Sequence, residues 1–162
     1  MKLVDANVLV YAVDTASPHH AAAKRWLDAA LAGPEPVLLP WLSLLAFVRL
    51  TTNPSLSEAP LTTEQAFDIV ELWLSSPAAE VPQVDAELAR SLRELLAATG
   101  GRGGNLANDA FLAALALRRR AQVVTFDNDF GRFPGVSWSR PEEPAAAPQD
   151  AAADPAGRER PG

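Results

Sequence analysis

Lys2-Leu3-Val4-Asp5-Ala6-Asn7-Val8-Leu9-Val10-Tyr11 opens the chain, and Gln122-Val123-Val124-Thr125-Phe126-Asp127-Asn128-Asp129-Phe130 follows much later. Each stretch begins as a short run of Val and Leu and then turns polar and acidic. Runs this short and this apolar read as strands buried on both faces, as in parallel sheets. If Lys2–Val4 and Gln122–Thr125 are neighbouring strands, Asp5 and Asp127 arrive together at one edge of a sheet.

Helical signals and further strands fill the interval between them. Ser17-Pro18 reads as a helix start, with Ser as N-cap and Pro at the first helical position, and Gly33-Pro34 ends that helix after Ala32. Pro36–Leu39 reads as a second strand. The apolar run Trp41–Thr51 reads as a helix closed by Asn53-Pro54. Thr62-Thr63-Glu64-Gln65 opens another helix in capping-box style, running to Leu74. Glu80–Val84 is a third strand, and Asp85 caps a helix to about Ala98 with Leu88, Leu92, Leu95 and Leu96 as its buried stripe. After the loop Gly100–Gly104, a helix from Leu106 to Arg119 carries Ala110, Ala113, Ala114 and Leu117, small enough in the main to lie close against a sheet. Val136–Trp138 is a short fifth strand. Strands separated by helices imply right-handed crossovers. The fold class expected is therefore α/β: a mostly parallel five-stranded sheet with helices on both faces, formed by residues 1–140.

Residues 141–162 differ in composition. They are Pro, Ala and charged residues, with no aromatic or β-branched side chain after Trp138, and they bury too little to offset the entropy of ordering. A disordered tail is expected there.

Charge and composition exclude several classes of function. The 162 residues hold 14 basic and 20 acidic side chains, net −6. Five acids and two Arg lie in 141–162, which leaves 12 basic against 15 acidic residues in 1–140. That is no polycation for non-specific nucleic-acid binding, although a local basic site is compatible with it. There is no Cys, hence no disulfide scaffold, thiolate metal site or cysteine catalysis. The first apolar run is interrupted by Asp5 and Asn7 and makes a poor signal peptide, and no run approaches the ~18 residues of a membrane span. A soluble, cytoplasmic protein is expected.

Three acids occupy positions where chemistry is done in such sheets, outside the carboxyl ends of the strands. Asp5 follows the first strand, Asp127 follows the fourth, and Asp109 lies in the first turn of the helix leading into the fourth. Each has a structural reading when taken alone: Asp5 as a cap or turn former, Asp109 as a complement to a helix N-terminus, Asp127 as an Asx turn. Together, without basic partners, they repel one another unless a cation neutralises them. An all-oxygen donor set suits Mg²⁺ or Mn²⁺.

Four segments, in order, carry a resemblance. Asp5-Ala6-Asn7-Val8-Leu9-Val10-Tyr11 resembles the D-x-N-x-L-x-Y opening of PIN-domain ribonucleases. Asn108–Ala116 resembles the helix bearing their third acid, Thr125–Phe130 their T-x-D-x-D-F segment, and Phe133–Trp138 the ending common in VapC-type toxins. The resemblance spans about residues 1–140. It implies a three-layer PIN-like fold, Mg²⁺- or Mn²⁺-dependent cleavage of RNA, a homodimer, and control by a VapB-type antitoxin. It also implies that Asp5, Asp109 and Asp127 bind metal and that Asp129 binds or supports it. Arg49, Arg102 and Arg132 are candidate contacts to RNA phosphates.

One departure stands out. Where most of the family places a Glu a few residues before an Arg, the chain reads Trp41–Leu50 with Arg49 present. The Glu position, near Ala46 or Phe47, is apolar. A catalytically inactive RNA- or antitoxin-binding module is therefore the alternative. A third reading, phosphoryl transfer with Asp5 as nucleophile, is disfavoured because such sites use a late Lys and none follows Lys24. His19 and His20 read as solvent-facing or packing residues, and the four Trp as core or dimer packing.

Overall fold

The computed structural model describes residues 1–56, 59–100, 104 and 106–141. Five parallel strands form one sheet: β1 (Lys2–Val4), β2 (Val37–Leu38), β3 (Ala79–Glu80), β4 (Gln122–Val124) and β5 (Trp138–Ser139), in the order β3-β2-β1-β4-β5. The two strands that opened the argument are adjacent, with Leu3 opposite Val123 and Val4 opposite Val124. The ladder extends one step further: Asp5 N–H donates to the Val124 carbonyl at 3.1 Å. That register delivers Asp5 and Thr125 side by side at the sheet edge.

Among the described residues six helices cover the sheet: α1 (Ala6–Val13), α2 (His20–Ala32), α3 (Trp41–Thr51), α4 (Thr63–Leu74), α5 (Leu88–Ala98) and α6 (Leu106–Arg119). Alternation along the strands divides the core in two. Leu3, Leu38 and Val123 face α5 and α6. Val4, Val37 and Val124 face α1, α2, α3 and α4. The result is the three-layer arrangement expected, with strands apolar on both faces because both faces are covered. In α6, Ala110, Ala113, Ala114 and Ala116 are buried, and these small side chains let the helix lie close on the sheet.

Trp41–Thr51 and Leu106–Arg119 match the expected bounds, and α4 begins one residue inside its capping box, with Thr62 and Gln65 exchanging bonds at 2.9 and 3.1 Å. The other differences have local causes. No element was expected between Asp5 and Ser17, yet α1 lies there. Its Val8, Val10 and Val13 mask helix propensity, while burial of Val8, Leu9 and Ala12 stabilises the helix. Helix α2 starts at His20, not Pro18, because Ser17 forms a turn: its Oγ accepts from His19 N–H at 3.2 Å and its carbonyl from His20 N–H at 3.1 Å. Helix α5 starts at Leu88. Asp85 accepts from Glu87 N–H at 3.0 Å in a preceding turn, and its carboxylate is gripped by both Arg118 guanidinium nitrogens, at 2.6 and 2.7 Å. Strand β3 ends at Glu80, whose carboxylate pairs with Arg119, instead of continuing to Val84. Strand β5 is Trp138–Ser139, entered from a turn in which Gly135 takes a φ of +75°, which L side chains rarely adopt.

The expected tail falls almost wholly outside the described residues, as does most of the glycine loop. Pro141, the last described residue, is buried.

Candidate active site

Asp5 is placed by two elements at once. It directly follows β1, and its Oδ1 accepts from Ala6 N–H at 2.6 Å as the N-cap of α1. The structural and the functional readings of Asp5 are therefore compatible. Its Oδ2 accepts from Thr125 Oγ1 at 2.7 Å and from Asn7 Nδ2 at 2.8 Å. Thr125 is fully buried and acts as a hub, since its Oγ1 also accepts from Asp127 N–H at 2.9 Å and from Asn7 Nδ2 at 3.0 Å. Asn7 Oδ1 accepts from Phe126 N–H at 3.2 Å. The D-x-N spacing thus puts Asn7 on the first turn of α1, where it clamps the segment after β4. The T-x-D spacing puts Thr125 where one hydroxyl orients Asp5 and the backbone of Asp127.

These acids line a cleft of about 290 Å³ with Asp109. On its other wall stand Ser43, Ala46 and Arg49 of α3. Asp109 is half-buried, and its carboxyl is pushed up to about 6, first by burial and then by the negative charges of Asp5, Asp127 and Asp129. Burial also raises Asp5, opposed by its bonds from Thr125 and Ala6, with the charge of Asp127 adding to the rise. A site that raises a carboxyl through other carboxylates is short of positive charge.

The remaining sequence candidates divide. Asp129 is exposed beside the cleft, not among its lining residues. Its N–H donates to Asp127 Oδ1 at 2.8 Å, and its carboxylate lies 3.7 Å from Arg132. That pairing directs Arg132 to Asp129. Arg49 lines the cleft. Arg102 lies outside the described residues. Of the two apolar positions suspected of replacing an acid, Ala46 faces the cleft, whereas Phe47 is fully buried against Trp73 with ring centres 4.9 Å apart. Ser43 went unnoticed in the sequence. It is 1% exposed, lines the cleft, and its Oγ has no hydrogen-bond partner among the described residues. Its signal was a lone hydroxyl three residues before Ala46, on the same helix face.

The donor set is all oxygen, and among the described residues none of Asp5, Asp109 and Asp127 is in salt-bridge contact with a basic side chain, which fits Mg²⁺ or Mn²⁺ in chemistry and in charge. Among the described residues, however, no three acidic or His side chains are gathered closely enough to enclose an ion. The cleft suits a hydrated ion that touches one or two carboxylates and keeps water around the rest of its shell.

The PIN-domain family model matches residues 2–136. The chain belongs to the PIN-domain family. Among curated PIN-domain relatives, it is 50% identical over 141 residues to Ribonuclease VapC37 of Mycobacterium tuberculosis, covering 87% of this chain and 97% of that protein. It is 36% identical over 141 residues to Ribonuclease VapC31 of the same organism, covering 87% and 99%. The fold resembles VapBC2 from Rickettsia felis, solved bound to a DNA fragment from its promoter, with TM-score 0.62 and 24% identity over 86% of this chain and 97% of that one. It also resembles the sarcin-ricin loop cleaving toxin VapC20 of M. tuberculosis, with TM-score 0.61 and 21% identity over 81% and 93%. At those identities the likeness concerns the PIN fold alone. No helix of the described residues is long and apolar enough to cross a membrane.

Proposed function

We propose that the chain is the toxin of a VapBC-type toxin–antitoxin pair, a Mg²⁺- or Mn²⁺-dependent endoribonuclease. The observation that carries this reading is the cleft lined by Asp5, Asp109 and Asp127, in which burial and then the charges of its acidic neighbours raise the Asp109 carboxyl. Membership of the PIN-domain family and 50% identity to a protein named as a ribonuclease supply the reaction class.

Asp5, Asp109 and Asp127 would hold the ion, with Asp129 supporting it from outside the cleft. When bound, the metal lowers the pKa of a coordinated water and neutralises charge on the phosphate. The protein's own part is orientation. Thr125 and Asn7 fix Asp5 through Oδ2, leaving Oδ1 capping α1. Asp127 is fixed through its backbone by Thr125. Arg49, which lines the same cleft, would take a non-bridging phosphate oxygen. The partners are an RNA substrate and a VapB-type antitoxin, and the chain works in the cytoplasm as a homodimer. Residues 1–140 form the nuclease domain and the following segment is dispensable for it.

Ala46 keeps a second reading alive: α3 contributes no acid to the cleft, as in a PIN fold that binds RNA or antitoxin without turnover. Purified protein assayed on RNA decides between the two. Cleavage that stops with EDTA, returns with Mn²⁺ and is lost in Asp109→Asn supports the enzyme. Absence of cleavage at millimolar Mn²⁺, with RNA still bound, supports the binder.

A further inference from the structure

A second cavity, of about 770 Å³, opens beside the acidic cleft, between the α1–α2 turn and the end of α3, and Tyr11 lines both. Tyr11 belongs to an aromatic cluster. His19 stacks on Phe126 with ring centres 4.5 Å apart and 28° between planes, and Tyr11 meets Phe126 edge-on at 5.3 Å and His19 at 5.2 Å. The cluster is tied to the acids. Phe126 stands between Thr125 and Asp127, and its N–H is held by Asn7. His20 Nδ1 lies 2.9 Å from the Tyr11 carbonyl, fixing the end of α1 to the start of α2.

Three features go beyond ordinary packing. All three rings are only partly buried, unlike the phenyl rings of Phe47 and Phe130 in the core. His19 lines the cavity, and neither of its ring nitrogens has a hydrogen-bond partner among the described residues, so the ring has unused bonding capacity. Among the described residues the lining includes Asp14 and no Lys or Arg, so the cavity suits a neutral planar group and repels a phosphate. Single-stranded RNA offers that group. Its unstacked bases lie on Tyr, Phe and His rings and bond through their edges.

We propose that the cavity beside Tyr11 binds one unstacked base of the RNA substrate next to the scissile phosphate, with Tyr11 as its stacking surface and His19 as its polar edge. The proposal rests on the ribonuclease reading above and adds how the enzyme chooses a bond. Because hydrogen bonds to Asn7 and His20 fix the rings' backbones, the site is pre-organised and little ordering accompanies binding.

The test is a cycle between base and ring. A single-stranded RNA dodecamer that the wild type cuts at one bond is compared with versions carrying one abasic nucleotide at each flanking position. At one position the abasic version should lower kcat/KM by about tenfold, the usual weight of one stacked base. In Tyr11→Leu that penalty should fall below about twofold, and in His19→Leu it should shrink. A purely structural role for the rings would slow both substrates equally and leave the penalty intact. An unchanged penalty in both variants overturns the proposal, and so does an unchanged penalty accompanied by lost antitoxin binding, which would assign the cavity to protein contact. A wild type that cuts no RNA sinks the ribonuclease reading instead. The same cycle is then read as Kd by fluorescence anisotropy with Ca²⁺, where an abasic penalty abolished by Tyr11→Leu supports the base site and its absence refutes it.

Discussion

Replacing Asp109 by Asn separates the charge of the cleft from its shape. Asp109 titrates at about 6 in the folded chain against an ordinary 3.8. Between those values the folded protein holds the proton more tightly than the unfolded chain. Stability therefore falls as pH rises from about 4 to about 6, and the deficit is complete above that range. A rise from 3.8 to about 6 corresponds to about 3 kcal/mol. The side chain is only half-buried, and water and salt screen its neighbours, so ~1–2 kcal/mol is the expected effect. Asn keeps the volume and removes the charge. At pH 7.5 without metal, Asp109→Asn should raise Tm by about 3–6 °C, and at pH 4 the two proteins should melt together. Millimolar Mn²⁺ should raise the Tm of the wild type more than that of the variant, and RNA cleavage by the variant should fall at least about 100-fold. Differential scanning fluorimetry across pH reads the first part. A variant that melts with the wild type at pH 7.5, or a gain that persists undiminished at pH 4, would refute the claim that carboxylate repulsion and burial act on Asp109.

Further substitutions probe the rest of the site. Ala46→Glu should tighten Mn²⁺ binding by calorimetry, because it adds a carboxylate to the α3 wall, while Phe47→Glu should fail to fold or lose several °C of Tm by placing a charge against Trp73. Thr125→Val keeps the shape but removes the hydroxyl that orients Asp5 and the Asp127 N–H; it should cost about 1–3 kcal/mol of stability in denaturant melts and reduce cleavage strongly. Arg49→Ala should raise KM for RNA and flatten its salt dependence while leaving Tm nearly unchanged, since Arg49 is exposed. Truncation after Pro141 should leave Tm within about a degree, because the removed composition offers no apolar anchor.

The sheet and most of its helices were legible because each signal was local. The Thr62–Gln65 capping box, the uninterrupted apolar run 41–51 and the alanine face of α6 need no distant partner to be read. Helix α1 was not legible, since its Val-rich sequence has the local preference of a strand and only burial against α2 and α3 decides otherwise. The starts of α2 and α5 were shifted by side-chain bonds that compete with capping. At Asp85 the competitor is Arg118, 33 residues away, which no local pattern reveals.

The candidate site shows the same division. Asp5, Asp109 and Asp127 could be named because an acid after a strand, or at a helix start, is a positional signal once the strand order is supposed. Asn7 and Thr125 stood within the quoted motifs, but their work appears only when β1 and β4 lie side by side. The two residues then bond each other and share Asp5. Asp129 and Arg132 show the opposite pattern. They are close in sequence and pair with each other at 3.7 Å within the short turn Asn128–Arg132, which sets Asp129 beside the cleft, near enough for its charge to raise Asp109, without placing it among the lining residues. Ala46 and Ser43 complete the contrast. The helical period puts them on one face, so a cleft wall that lacks an acid carries, one turn away, a buried hydroxyl with no partner among the described residues. Burial of a hydroxyl within an otherwise apolar run is a property of α3 that only the packed structure exposes.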